Sequence, residues 1–391
     1  MKKIAAALIC SLVVMFVLVG CSINLNINQN NNTPSNPNTP SNPQPEQPAA
    51  VKNVIMMIGD GFGPNHLANA KKYFGIDEFV YEDDYICDVT TYSKDSNEEW
   101  ATDSAASASA LATGKKHYNG EVSRHLGEDI QSIMEIAQAQ GKKTGIMTSD
   151  TLHGATPGAY SAHTNSRENK AEIVADQIQS GIDIMVGSAA EEYTNAQQDF
   201  VEAGYNYIDN VAAFDSLNPN QKYLGNVPAL YANNQGYINY PALITKVLNY
   251  LDNEDGFFLM IENGLIDSYS HGNNFVSAME EVVYFEAMIK AVYTFCEGRD
   301  DTVVIITSDH ETGNLALADE EDISQWEASR LNALYGWDRH SNMNVKLFIR
   351  FASLEDAKIY KDMIDNIDIF TLCQKLVEDE SFDYTVIQQV A

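Results

Sequence analysis

In "VKNVIMMIGD", residues 51–60, an unbroken apolar run from Val54 to Gly59 stops at an acid, Asp60. A strand half-exposed on one face would alternate polar and apolar residues; a continuous run of this length predicts a strand buried on both faces. The pattern recurs. "KKTGIMTSDT" (142–151) runs into Thr148, Ser149 and Asp150; "GFFLMIEN" (256–263) ends at Glu262; "DTVVIITSDH" (301–310) ends at Asp309 and His310. Helical stretches are expected between them, at 128–140, 167–180, 240–252 and 275–297. Alternation of this kind predicts an α/β fold: a three-layer αβα sandwich around a mostly parallel sheet. Ligands of such sheets bind outside the carboxyl ends of the strands. One acid after a strand is commonly a helix cap, but several such ends with an adjacent histidine point to a shared site.

Two further segments add donors. "ENGLIDSYSHG" (262–272) holds Glu262, Asp267 and His271, and a helical turn would put Asp267 and His271 on one face. "GWDRHSNMNVKLFIR" (336–350) sets His340 shortly before another strand. Imidazole with carboxylate suits zinc; carboxylate with hydroxyl suits a harder ion such as magnesium. In "WATDSAASASALATG" (100–114), Ser104 follows Thr102 and Asp103 and opens a run of small residues that closes at Gly114. A serine at a helix N-terminus is a candidate nucleophile, because free N–H groups and the helix dipole favour an anion there.

Together these blocks resemble the alkaline phosphatases, over essentially all of residues 51–391. "IGDGFG" (58–63), "TDSAASASALATG" with "KKHYNG" (102–120), "ATPGAYSAHTNSR" (155–167), "ENGLIDSYSH" and "TSDHETG" (307–313) are similar to that family's motifs in order and spacing. The resemblance implies Ser104 as nucleophile, Arg167 as phosphate clamp and Asp103 as its orienter. It implies two zinc ions, one held by Asp267, His271 and His340, the other by Asp60, Asp309 and His310. A third ion, usually magnesium, would take Asp60, Thr156 and Glu262. Two positions depart from the pattern: Gly154 stands where Asp or His is common beside the third ion, with His153 one place earlier, and Ser268 stands where some members carry Lys. His66, His117, His125 and His163 receive no role. The implied reaction is hydrolysis of phosphate monoesters through a phosphoserine. A phosphodiesterase of the same superfamily shares the metal frame, and a non-catalytic phosphate-binding lipoprotein would need no metal cluster. A sulfatase would need a Cys or Ser in a C/S-x-P-x-R setting, whereas Ala-Ala-Ser follows Ser104. The resemblance also points to a homodimer.

The first residues carry an expectation of location. Lys2 and Lys3 precede an apolar run that ends in Leu18-Val19-Gly20-Cys21. Residues 1–20 read as a lipoprotein signal peptide, with cleavage before Cys21 and lipid on that residue. Residues 21–50, rich in Asn and Pro, read as a disordered tether, which makes the product an exported lipoprotein held at a bacterial cell envelope. A formal net charge of −31 argues against nucleic acid as a partner. Cys87, Cys296 and Cys373 are odd in number, so this is no disulfide scaffold.

Overall fold

The computed structural model describes residues 51–228, 239–351 and 363–378, all within one compact unit, Gln47–Ala391. The expected signal peptide, Cys21 and the tether lie outside the described residues. Among the described residues, ten strands form one sheet: β1 (Asn53–Gly59), β2 (Tyr85–Thr90), β3 (Lys143–Thr148), β4 (Ile184–Ser188), β5 (Tyr205–Ile208), β6 (Lys222–Val227), β7 (Phe257–Asn263), β8 (Thr302–Thr307), β9 (Val345–Phe351) and β10 (Met363–Asp365). Their order across the sheet is β10-β2-β9-β8-β1-β7-β3-β4-β6-β5. Only β9 runs against the rest.

The alternation of side chains along β1 shows why its sequence is apolar from Val54 onward. Ile55 and Met57 enter one core, with helices Pro64–Phe74, Tyr240–Leu251 and Phe275–Cys296. Val54, Met56 and Ile58 enter the other, with helices Ile133–Ala139 and Asn366–Glu378. Every residue of β1, β7 and β8 is buried, as expected for central parallel strands covered on both faces. The three-layer expectation therefore holds.

Register carries the polar residues to one edge. β1 lies between β7 and β8, pairing Val54 with Phe258 and Asn53 with Thr302. Gly59 is opposite Asn263 and Ile58 opposite Glu262. Asp60, Glu262 and Asp309 thus leave three adjacent strands at the same ends, and Thr148 of β3 sits opposite Glu262. Asp60 is followed by Gly61 at φ +74°, where a Cβ would lie 2.8 Å from Asp267 Cα. Only a residue without a side chain lets β1 turn this tightly against the helix Leu265–His271.

Candidate active site

Ser104 is the first residue of the helix Ser104–Thr113, all of whose residues are buried. The run of Ala and Ser is what lets a helix enclosed on all sides fit there. Asp103 caps it, one carboxylate oxygen accepting from Ala106 N at 2.9 Å. The other accepts from Gly120 N at 3.0 Å and from Arg167 Nη1 at 3.3 Å. Burial works against the Arg167 charge, but Asp103 and Asp60 outweigh it and hold the guanidinium above its ordinary pKa. Ser104 Oγ lies 3.1 Å from His310 Nε2.

His271 and His340 bring their Nε2 atoms to 3.0 Å from each other. Each Nδ1 faces a backbone oxygen, Asp338 O at 2.6 Å and Thr102 O at 2.8 Å, and so donates its proton there. Nε2 of each ring is thereby turned to Asp267, whose oxygens lie 3.3 Å from His271 Nε2 and 3.5 Å from His340 Nε2. Burial pushes the Asp267 carboxyl up, yet the hydrogen bonds from both histidines hold it well below the ordinary carboxylate range. His271 is raised to about 9 by its bond to Asp267. The cluster calls for positive charge, and donors of this kind suit zinc.

The second group lies deeper. His310 Nε2 is 3.2 Å from Asp309 Oδ2 and 3.6 Å from Asp60 Oδ1. Burial and the neighbouring His340 hold His310 well below its ordinary pKa, so the ring is neutral and is no counter-ion to either acid. Asp60 Oδ1 and Asp309 Oδ2 are buried without a hydrogen-bond partner. Burial, then Asp309 and Asp267, push the Asp60 carboxyl well up; burial, then Asp267, raise Asp309 to about 7. Buried acids with bare oxygens and a bare imidazole nitrogen fit a divalent cation. Asp267 belongs to this group as well, since ligand atoms of Asp60, Asp267 and His310 lie within 4.8 Å of one another.

For the third group, Glu262 is raised to about 8, first by burial, and it adds to the upward push on Asp60. Thr156 Oγ1 is buried, on the short helix Ala155–Ser161, beside Glu262, whose carboxyl it helps to hold down. A carboxylate and a hydroxyl are oxygen donors suited to a hard cation. His153 does not join them: its Nε2 lies 3.2 Å from Glu192 Oε2 and its ring stacks on Tyr193. His66 is buried, bonded to Ser270 Oγ at 3.0 Å. Among the described residues, no disulfide joins Cys87, Cys296 or Cys373.

Two hydroxyls, Thr148 and Thr312, hold these acids in place through bonds that their local sequence does not disclose. Thr148 donates to Glu262 Oε2. Thr312 donates to Asp267 Oδ1, and His310 Nδ1 lies 3.2 Å from the same hydroxyl. Thr312 sits inside "TSDHETG", but its role depends on Asp267, 45 positions away, and no local pattern reveals it.

A family model described as alkaline phosphatase matches residues 51–200 and 192–366. Alkaline phosphatase 3 of Bacillus subtilis is 30% identical over 307 residues, 72% of this chain and 66% of that protein. Alkaline phosphatase 4 of the same organism is 33% identical over 299 residues, 69% and 63% of the two lengths. The chain therefore spans about two thirds of the length of these curated relatives. Among solved structures, a cold-active alkaline phosphatase from a psychrophilic Shewanella superposes with a TM-score of 0.72 at 26% identity, covering 83% of this chain and 99% of that one.

Proposed function

The chain belongs to the alkaline phosphatase family, and on that premise we propose that it is a cation-dependent phosphomonoesterase acting through a phosphoserine on Ser104. The observation that carries the reading is the place of Ser104 Oγ: at a buried helix N-terminus, 3.1 Å from His310 Nε2, on the helix whose cap, Asp103, holds Arg167. Two zinc ions at Asp267, His271 and His340 and at Asp60, Asp309 and His310, with magnesium at Asp60, Thr156 and Glu262, would lower the pKa of the serine hydroxyl and of water and offset phosphate charge.

The chain's own groups do the rest. Helix N–H groups and the guanidinium of Arg167 receive the phosphoryl oxygens, and Asp103 keeps the planar fork turned toward them. Ser104 Oγ forms the bond to phosphorus as the alcohol oxygen leaves; water then attacks phosphorus, releasing inorganic phosphate and restoring the serine. A monoester leaves two oxygens free for Arg167, whereas a diester has one blocked. That favours monoesterase over diesterase activity. We further propose that the chain works as an exported lipoprotein anchored through Cys21 at the cell envelope, and as a homodimer, on the strength of its first residues and its family.

The test is acid trapping. The full chain, incubated with labelled phosphate and quenched at low pH, is expected to carry label on Ser104, and Ser104→Ala to carry none while still binding phosphate. Label on another residue in the unaltered chain would overturn the assignment.

A further inference from the structure

We infer that His117, Glu121 and His125 form a separate binding site for a divalent cation of the zinc type, beside the phosphate clamp. The segment "HYNGEVSRH" (117–125) places a donor at every fourth position, but it is not a helix. It runs from a loop into a small hairpin, Arg124–His125 against Glu128–Asp129. Ser123 and Leu126 have φ of 43° and 52°, a left-handed conformation costly for residues with side chains. That backbone folds His125 back onto Glu121, with Nδ1 2.9 Å from Glu121 Oε2. One ligand atom from each of the three residues lies within 4.8 Å of the others.

Proton counting at His117 supplies the second observation. The ring is fully buried, and burial lowers its pKa to about 4, so it carries one proton. The Thr113 hydroxyl also has one proton, and it lies 2.6 Å from Ser109 O. It therefore meets His117 Nε2, 3.0 Å away, with a lone pair, and the His117 proton belongs on Nε2. That leaves Nδ1 bare. It faces Arg124 O at 3.3 Å and Glu121 Oε2 at 3.7 Å, both of them acceptors, and Glu121 Oε2 already receives Tyr118 N at 2.9 Å and faces His125 Nδ1. A cation would give the bare His117 nitrogen a partner. Two imidazole nitrogens and one carboxylate oxygen favour zinc over a hard ion such as magnesium.

Lys94 is the competitor. Its ammonium lies 2.6 Å from His125 Nε2, on the other side of the ring, and 5.6 Å from the centre of the Tyr118 ring. In that arrangement Lys94 donates to Nε2, and the His125 proton on Nδ1 points at Glu121. Cation binding shifts this proton from Nδ1 to Nε2, with no net gain or loss, and the exposed lysine swings to solvent. The loop matters to the clamp because Gly120, between His117 and Glu121, donates to Asp103 Oδ2 at 3.0 Å. Its carbonyl accepts from Arg167 N at 2.8 Å. An ion here would pin the backbone that holds both residues.

The experiment is anomalous diffraction at the zinc edge on crystals of the full chain equilibrated with zinc, alongside equilibrium dialysis of unaltered chain, His125→Gln and Lys94→Gln. The expected result is an anomalous peak between His117 Nδ1, Glu121 Oε2 and His125 Nδ1. His125→Gln should lose that peak and bind one zinc fewer per chain. Lys94→Gln, which keeps every ligand, should bind this ion about two- to fivefold more tightly, the size of one exposed charge–charge interaction. Absence of the peak overturns the inference, whether or not zinc fills the cluster of His271 and His340. A peak that survives His125→Gln, or a Lys94→Gln affinity that is unchanged or weaker, also overturns it.

Discussion

The hydroxyl of Thr312 donates to Asp267 Oδ1, so only its lone pairs are left for His310 Nδ1, 3.2 Å away. His310, neutral because it is buried, must then carry its proton on Nδ1, which keeps the Nε2 lone pair facing Ser104, Asp60 and Asp309. One side chain thereby sets the tautomer of one proposed ligand and the orientation of another. Such partners typically contribute 10–100-fold to metal affinity. Thr312→Val keeps the shape and removes both bonds, and zinc affinity is expected to fall by about that factor, measured by competition with a chromophoric chelator. Thr312→Ser should recover most of it. An unchanged affinity in the valine variant would mean that packing alone holds the two ligands.

Gly61, in the turn after β1, combines a left-handed φ of +74° with an approach so close that an added Cβ would lie 2.8 Å from Asp267 Cα. Gly61→Ala is expected to cost about 1–2 kcal/mol for the backbone conformation alone, and more as the helix Leu265–His271 is pushed away with its two ligands. Gly75→Ala makes the comparison clean, since φ there is +64° and nothing stands within 4 Å. Urea midpoints should fall in both variants, but zinc should be lost from the His271 cluster only in the first. The sequence discloses much at this scale. The four apolar runs are strands β1, β3, β7 and β8, and Asp267 and His271 do share a short helix. Expected helix 128–140 is shorter, Ile133–Ala139, because Ser132 caps it with Glu135 while Glu128–Asp129 pairs in the hairpin. Likewise 167–180 begins at Lys170, after Asn169. Strand order was not legible, because nothing local to residues 51–60 says that β7 and β8 will flank them. The bonds of Thr148 and Thr312 were not legible for the same reason: their partners are 114 and 45 positions distant. Strands β4, β5 and β6 deliver none of the site's acids, so their ends carry no comparable signal in the sequence.

Across the whole molecule, the buried acids make stability depend on pH in a defined direction. Asp309 rises from 3.8 to about 7 and Glu262 from 4.5 to about 8 on burial. With a folded pKa above the unfolded one, the folded state binds more protons, so stability falls as pH rises through that window. His271, raised from 6.5 to about 9 by Asp267, acts in the same direction, its contribution fading between those values. Asp267, held below its ordinary range, contributes a constant amount at these pH values. The Tm of chelator-treated protein is therefore expected to drop between about pH 6.5 and pH 9, since below that range His66, His117 and His310, held low by burial, offset the raised acids, and saturating zinc and magnesium should flatten the slope by favouring the ionised acids. A flat profile without ions would contradict this account. The register of β1 has a different consequence, for the order of events during synthesis. Its neighbours are residues 257–263 and 302–307. A ribosome must therefore deliver roughly 200 further residues before the first strand finds either partner and about 250 before it has both, and contacts so distant in sequence form slowly. Until then its apolar run is an unshielded sticky segment in the emerging polypeptide, a natural client for chaperones, and no premature fragment ending before residue 302 can assemble the candidate site.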